Sequence, residues 1–292
     1  MMSRYDYIIA DLRLRSDRDI AKMGIRSFAP FAVPWLDVAA DCELCFDARI
    51  DLLVAKTELS YSYLAETDAD SRFYAVADGY LYTIIRRCDP TRCYTLHINT
   101  YDKVISTNID PKSNMDLAIL RFGIWVMFGV VLTENNAIAI HSSTIVAEDR
   151  AVLFLGESGT GKSTHTRLWR ESIEGATLLN DDSPIVRIMD GCVRVYGSPW
   201  SGKTPCYKAE HYPIAGLCRL SQAPYNRIKR LQPLLAIGAL LPSCPPIFAH
   251  DEHLQDLICS TIGEAVRSVG VFHLECLPNE EAAQLSYSTI FK

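Results

Sequence analysis

Apolar and polar positions divide the chain into two halves joined by one long apolar run. Residues 1–112 read as β-rich, with short apolar runs separated by turn residues. Residues 7–10 (Tyr-Ile-Ile-Ala) predict a strand, and residues 60–64 alternate with aromatic positions. Residues 72–77 and 80–85 flank Asp78-Gly79, a dipeptide that favours a tight hairpin, and residues 93–99 predict a further strand. In this reading Tyr61, Tyr63, Tyr80 and Tyr82 form one face of a sheet. Residues 113–133 break the pattern. Positions 117–132 are apolar nearly all round, which predicts a buried connecting helix capped by Asn114.

After that helix, short apolar runs alternate with helical ones. Residues 137–143 predict a strand running into a polar end, His141-Ser142-Ser143. Residues 152–155 predict a buried strand and 164–171 a helix. Residues 177–182 predict a strand ending in Asn180-Asp181-Asp182. A second hairpin is expected at Asp190-Gly191, between 185–189 and 192–196. Strands at 214–220 and 270–276 and helices at 233–241, 252–261 and 279–285 complete the pattern. The expectation is an α/β chain (α+β overall), with a β-rich domain at 1–112 and a second domain at 113–292 that begins with the helix.

The chemistry concentrates where the strand at 152–155 meets the helix at 164. Gly156-Glu157-Ser158-Gly159-Thr160-Gly161-Lys162-Ser163-Thr164 fits G-x-x-x-x-G-K-[ST], the phosphate-binding P-loop. Glycines let several backbone N–H groups point into one concavity, and the helix adds the positive end of its dipole. Lys162 supplies a mobile positive charge for outer phosphates, and the Ser163 hydroxyl is an oxygen ligand of the kind Mg²⁺ accepts. Two carboxylates follow at a strand tip. One can hold the metal and the other can take the proton of an attacking hydroxyl. The chain lacks the Asn-Lys-x-Asp signature that reads guanine, so ATP is the expected nucleotide. Ser201, Gly202 and Lys203, in a loop between prolines, are candidates for contact with a phosphate or an acceptor.

Composition narrows the classes. The chain has 292 residues, 49% hydrophobic and 22% charged, as ordinary globular proteins do. A net charge of −6 and the lack of a basic block argue against nucleic acid or a membrane as partner. The first residues lack the apolar core of a signal peptide, and the run at 122–133 is short for a bilayer, so a cytoplasmic location is expected. Most of the ten cysteines are therefore expected to be buried thiols. Cys42-x-x-Cys45 and Cys88-x4-Cys93 form a loose zinc-like spacing, but both pairs sit in strand-like sequence.

Three segments in order, Ile140-His141-Ser142-Ser143, the P-loop and Leu179-Asn180-Asp181-Asp182, resemble the HPr kinase/phosphorylase and phosphoenolpyruvate carboxykinase group. The Ser-Pro-Trp-Ser-Gly-Lys segment at 198–203 is similar to HPr-kinase-like proteins of Bacteroides-type bacteria. The resemblance spans about residues 135 to 200. It implies a P-loop kinase domain with a mixed sheet, ATP and Mg²⁺ as cofactors, and a homo-oligomer. It further implies that His141 matches the family's active-site histidine, Lys162 holds phosphate and Ser163 binds magnesium. Asp182 matches the aspartate that takes the acceptor proton in HPr kinases, with Asp181 beside the metal. The carboxykinases instead use the second aspartate as metal ligand. The glycine-rich HPr kinase signature with its metal-binding glutamate is missing downstream, as is an arginine set for oxaloacetate.

The expected function is an ATP-dependent phosphotransferase acting on a serine-like hydroxyl of a small molecule, peptide or protein. A carboxykinase-like enzyme would interconvert a keto acid and its enol phosphate. A regulatory protein would bind nucleotide without transferring or hydrolysing it.

Overall fold

The structure, a computed structural model, describes residues 4–46, 48–202 and 204–292. The chain forms two compact units. The first comprises Met1–Glu134 together with Ile247–Gln255, and the second Asn135–Pro246 together with Asp256–Lys292.

The first unit is built on one mixed sheet. Its strands are β1 (Tyr5–Ile9), β2 (Leu12–Ser16), β3 (Ala32–Val33), β4 (Cys42–Cys45), β5 (Lys56–Leu64), β6 (Ala69–Val76), β7 (Gly79–Arg86), β8 (Asp89–Asn99) and β9 (Val104–Thr107). They lie in the order β3-β1-β2-β4-β9-β8-β7-β6-β5. Strands β5 to β9 form an antiparallel meander, whereas β2, β4 and β9 pair in parallel. The hairpin between β6 and β7 turns on Ala77-Asp78, one residue earlier than expected. Gly79 sits at the start of β7, where an added Cβ would lie 2.1 Å from the Ile98 carbonyl oxygen. Glycine is needed there both for this close strand approach and for its φ of +147°.

Helix α1 (Asn114–Glu134) belongs with this first unit, so the division falls after residue 134 and not after residue 112. Its cap is Ser113, whose Oγ accepts the Asp116 N–H at 3.1 Å, while the Asp116 carboxylate accepts the Lys112 N–H at 2.9 Å. Asn114 is the first helical residue instead. The helix is long and apolar enough to span a bilayer by length and composition, yet 67% of its most apolar window is buried inside the fold. Gly123 lies against Leu96 of β8, and Phe122 packs beside Tyr82.

The cysteines do not behave as one class. Cys42, Cys218 and Cys244 are buried, while Cys88, Cys192 and Cys259 are exposed, and all ten are free thiols. Cys42 and Cys45 lie three residues apart on β4, so they face opposite sides of the sheet. Among the described residues no cluster of three metal-ligating side chains occurs.

The second unit carries β10 (Ala137–Ala139), β11 (Ser142–Ala147), β12 (Arg150–Leu155), α2 (Lys162–Ser172), β13 (Thr177–Asp182), β14 (Ile185–Met189) and β15 (Cys192–Tyr196). It continues with β16 (His211–Gln222), β17 (Arg227–Arg230), α3 (Pro233–Leu240), α4 (Glu252–Ser268, whose first four residues fall in the first unit), β18 (Val271–Cys276) and α5 (Glu280–Ile290). The segment expected as one strand at 137–143 splits in two. Ala137–Ala139 pairs with β14, and Ser142–Ala147 pairs with β12 and β13. Ile140 and His141 make the step between these pairings. They are held by backbone bonds to Pro184 (3.0 Å) and Ser243 (2.8 Å). The hairpin at Asp190-Gly191 forms as expected, with both residues at positive φ (52° and 73°).

The central strands run β13-β11-β12-β16-β18-β17. Strand β11 is antiparallel to both β12 and β13, so those two point the same way. Strands β16 and β18 are parallel to β12. One face of this sheet buries Val152, Phe154, Cys218, Leu220 and Leu274 beneath Trp169 of α2 and Ala283 and Ile290 of α5.

Candidate active site

Four strands deliver their C-terminal ends to one edge of this sheet, the usual place for ligands in such folds. Register decides what meets there. Ser142, the first residue of β11, pairs with Leu155 on one side and Asp182 on the other. The last residue before the P-loop and the last acid of β13 are therefore level, two strand spacings (about 10 Å) apart. His141, immediately before Ser142, stands between them.

The loop 156–161 then turns into α2. Gly159 and Gly161 take φ +85° and +102°, and an added Cβ at either would meet no atom within 4 Å. Backbone conformation, not crowding, demands glycine there, and the concavity is open. Gly161 is the N-cap of α2 in the left-handed conformation, with no side-chain cap bond. The first N–H groups of α2 are therefore presented to any anion in the loop. Lys162 Nζ donates to the carbonyls of Gly156 (2.8 Å) and Glu157 (3.2 Å), which holds the ammonium over the loop. Burial lowers the Lys162 pKa, against the opposing pull of Asp182 and Asp181. Thr160 Oγ1 donates to Glu157 O at 2.8 Å and closes the turn.

The two acids diverge because neighbours on a strand face opposite sides of a sheet. Asp181 points to the α2 side, where Ser163 Oγ donates to its Oδ1 at 2.9 Å. Asp182 lies on the opposite face, with His141 Nε2 3.7 Å from its Oδ1 and both side chains 46% exposed. Burial, and then the nearby Lys162 charge, lower the His141 pKa despite the two aspartates. The imidazole is therefore neutral at pH 7, and its approach to Asp182 is not an ion pair there.

The segment after β15 is laced to this tip. Asn180 Nδ2 donates to Trp200 O at 3.0 Å, and Asn180 Oδ1 accepts the Ser183 N–H at 3.0 Å. Ser198 Oγ donates to Ser183 O at 2.6 Å. Gly202 N donates to Asp181 O at 2.7 Å, and Ser201 bridges to Asp182 in an isolated antiparallel pair. Ser201 is buried and its hydroxyl donates to Thr204 O at 2.7 Å. Its geometry is that of a loop anchor, where the sequence suggested contact with an acceptor. Gly202 is set by close approach, since an added Cβ would lie 2.9 Å from Asp181 O. Lys203 lies outside the described residues.

The sequence reading passed over two features. Asn180 is fully buried and serves as the tie between strand tip and loop, a signal hidden by its place beside two more conspicuous acids. Arg219 of β16 pairs with Leu155 of β12, which places it beside the start of the P-loop. Its Nη2 lies 3.9 Å from Glu157 Oε1, and its Nη1 donates to Ala239 O at 3.2 Å.

Comparison with known proteins adds a weak structural relationship. The chain is similar to the Hpr(Ser) kinase/phosphatase from Coxiella burnetii over 52% of its own length and 87% of that chain, at 12% identity and a TM-score of 0.31. No protein-family profile matches the chain. No curated protein matches it either.

Beside the loop, on the side away from the acids, lies a cleft of about 570 Å³. Gly159, Gly161 and Thr164 form one wall, and Leu220, Gln222 and Leu277 help form the other.

Proposed function

We propose that the second unit is an ATP-dependent phosphotransferase that moves the terminal phosphoryl group to a hydroxyl acceptor. The observation that carries this reading is the level register of Leu155, Ser142 and Asp182. It sets a phosphate-gripping loop and a half-exposed carboxylate on one sheet edge, a short reach apart.

The residues present fit both implied groups. The open glycine loop, the α2 N-terminus and Lys162 suit a chain of phosphates. The Ser163 hydroxyl and Asp181 carboxylate, already in contact, are hard oxygen donors and would hold Mg²⁺. Such a site needs no cluster of protein carboxylates, because phosphate and water complete it. When bound, the metal would neutralise charge on the outer phosphates.

Asp182 supports the role of base. It faces away from Ser163, is half exposed, and sits beside a neutral imidazole that can accept or pass on a proton. The acceptor oxygen forms a bond to the terminal phosphorus as the bond from phosphorus to the bridging oxygen breaks. The bonding electron pair leaves with the diphosphate, and the acceptor's proton goes to Asp182. Lys162 and the loop amides stabilise the charge that develops.

The test is Asp182→Asn, assayed with labelled ATP against serine, glycerol and a serine-containing peptide, with ATP affinity measured in parallel. Transfer should fall by about 100- to 10,000-fold while ATP binding holds within about threefold. Undiminished transfer in the variant would remove Asp182 from the chemistry. Failure of the parent protein to transfer or bind phosphate would remove the kinase reading altogether.

A further inference from the structure

We propose that Asn180 is a positioning residue that, together with Ser198, clamps Asp182 in a strained backbone conformation and thereby aims its carboxylate. The aiming rests on the phosphotransferase reading, whereas the clamp and the strain stand apart from it. The first observation is the backbone itself. Asp182 ends β13 and carries a side chain, yet its φ is +156°. Antiparallel strand residues sit near −140°, so the N–Cα bond of Asp182 is rotated roughly 60° from the usual setting. Glycine enters the positive-φ region freely, and residues with a Cβ avoid it. A residue held there persists only where its surroundings over-determine it, and such residues cluster at active sites.

The second observation is what over-determines Asp182. The side chain of Asn180 reaches past it in two directions. Oδ1 accepts the Ser183 N–H at 3.0 Å, and Nδ2 donates to Trp200 O at 3.0 Å. Ser198 Oγ donates to Ser183 O at 2.6 Å and accepts the Trp200 N–H at 3.2 Å. Asn180 and Ser198 are both fully buried, where a broken hydrogen bond is costly. Ser183 is thus fixed at its N–H and at its C=O, immediately after Asp182. Immediately before, Asp181 O accepts the Gly202 N–H at 2.7 Å. Asp182 also pairs with Ser142 on one side and Ser201 on the other. With its flanking residues pinned, Asp182 takes up the mismatch in its own φ. Rotation about N–Cα swings the Cβ and the carboxylate with it. The bonds that aim this half-exposed carboxylate therefore lie in the buried chain beneath it.

Two measurements test the proposal. At an ordinary strand position glycine lowers the folding constant roughly 2- to 5-fold relative to alanine. At position 182 the order should reverse. In urea unfolding, Asp182→Gly should have a folding constant at least about threefold above that of Asp182→Ala. In an Asn180→Ala background the ordinary order should return. Alanine as stable as glycine in the parent background would overturn the strain, and a reversal that persists in Asn180→Ala would overturn the clamp. The second measurement is kinetic. Asn180→Ala should lower kcat for transfer about 10- to 100-fold and leave the KM for ATP within about threefold. Ser198→Ala, a smaller change, carries both measurements should Asn180→Ala fail to fold. An unchanged kcat in a folded variant, or an equal loss in kcat and ATP affinity, would overturn the aiming. Absence of transfer by the parent protein would bring down the aiming together with the phosphotransferase reading, while the glycine–alanine order would still decide the clamp.

Discussion

His165 shows how much one side chain in the P-loop helix depends on its surroundings. It is 3% exposed, and burial pushes its pKa down to about 4. Ser286 Oγ of α5 accepts from Trp169 Nε1 (2.9 Å) and lies within hydrogen-bond distance of His165 Nε2 (3.1 Å) and Ala283 O (2.9 Å). The ring is neutral at pH 7 and is wedged edge-on to Phe154, 4.5 Å between centroids. A folded pKa below the unfolded value of 6.5 means that the unfolded chain binds the proton first. The stability contributed by the neutral ring is complete above pH 6.5 and is lost as pH falls toward 4. The loss between pH 7.5 and 5 should be about 2 kcal/mol. Urea unfolding at the two pH values checks it against His165→Gln, in which that part of the slope should vanish. An unchanged slope would show that other groups set it.

At the scale of elements, the hairpin at Asp190-Gly191 and the turn from β12 into α2 were legible because local chemistry decides them. Both sites require positive φ, and Asp-Gly and Gly-x-Gly supply it. The split of residues 137–143 was not legible. All seven residues suit a strand, and only the partners available in space direct Ala137–Ala139 to β14 and Ser142–Ala147 to β12. The loop at 198–204 read as a substrate contact because of its hydroxyls and lysine. Ser198 Oγ donates to Ser183 O, just past the end of β13, and Ser201 Oγ donates to Thr204 O within the loop itself. Gly202 follows from this close packing. Gly202→Ala should push the loop off Asp181 and shift Asp182, lowering transfer by about 10- to 100-fold. ATP affinity should stay within about twofold. Kinetics with parallel calorimetry decides it, and a fall in both together would mean general damage to the fold.

At the scale of the molecule, the proposed site residues all belong to the second unit, which has its own core beneath α2 and α5. Mg²⁺-ATP should therefore slow amide hydrogen exchange in the loop 156–161, the first turn of α2 and the tips of β11 and β13. Strands β5 to β8 of the first unit should exchange as before. Exchange mass spectrometry reads this directly, and protection centred on the first unit would contradict the assignment. The boundary between units was misplaced in the sequence for a related reason. The apolar run in α1 announces a buried helix but carries no information about which core buries it, and contacts assign it to the first.

The sequence by itself determined the glycine-rich turn between β12 and α2, the acidic strand tip, the hairpin at 190–191 and the α/β character, because each depends on residues close together in the chain. The tertiary structure alone decided that Asp181 turns to Ser163 while Asp182 turns to His141. It also decided that Asn180 and Gly202 fasten a distant loop, and that a cleft opens beside the glycines. Strand order and register produce those outcomes, and a register is a property of paired strands, not of either sequence alone.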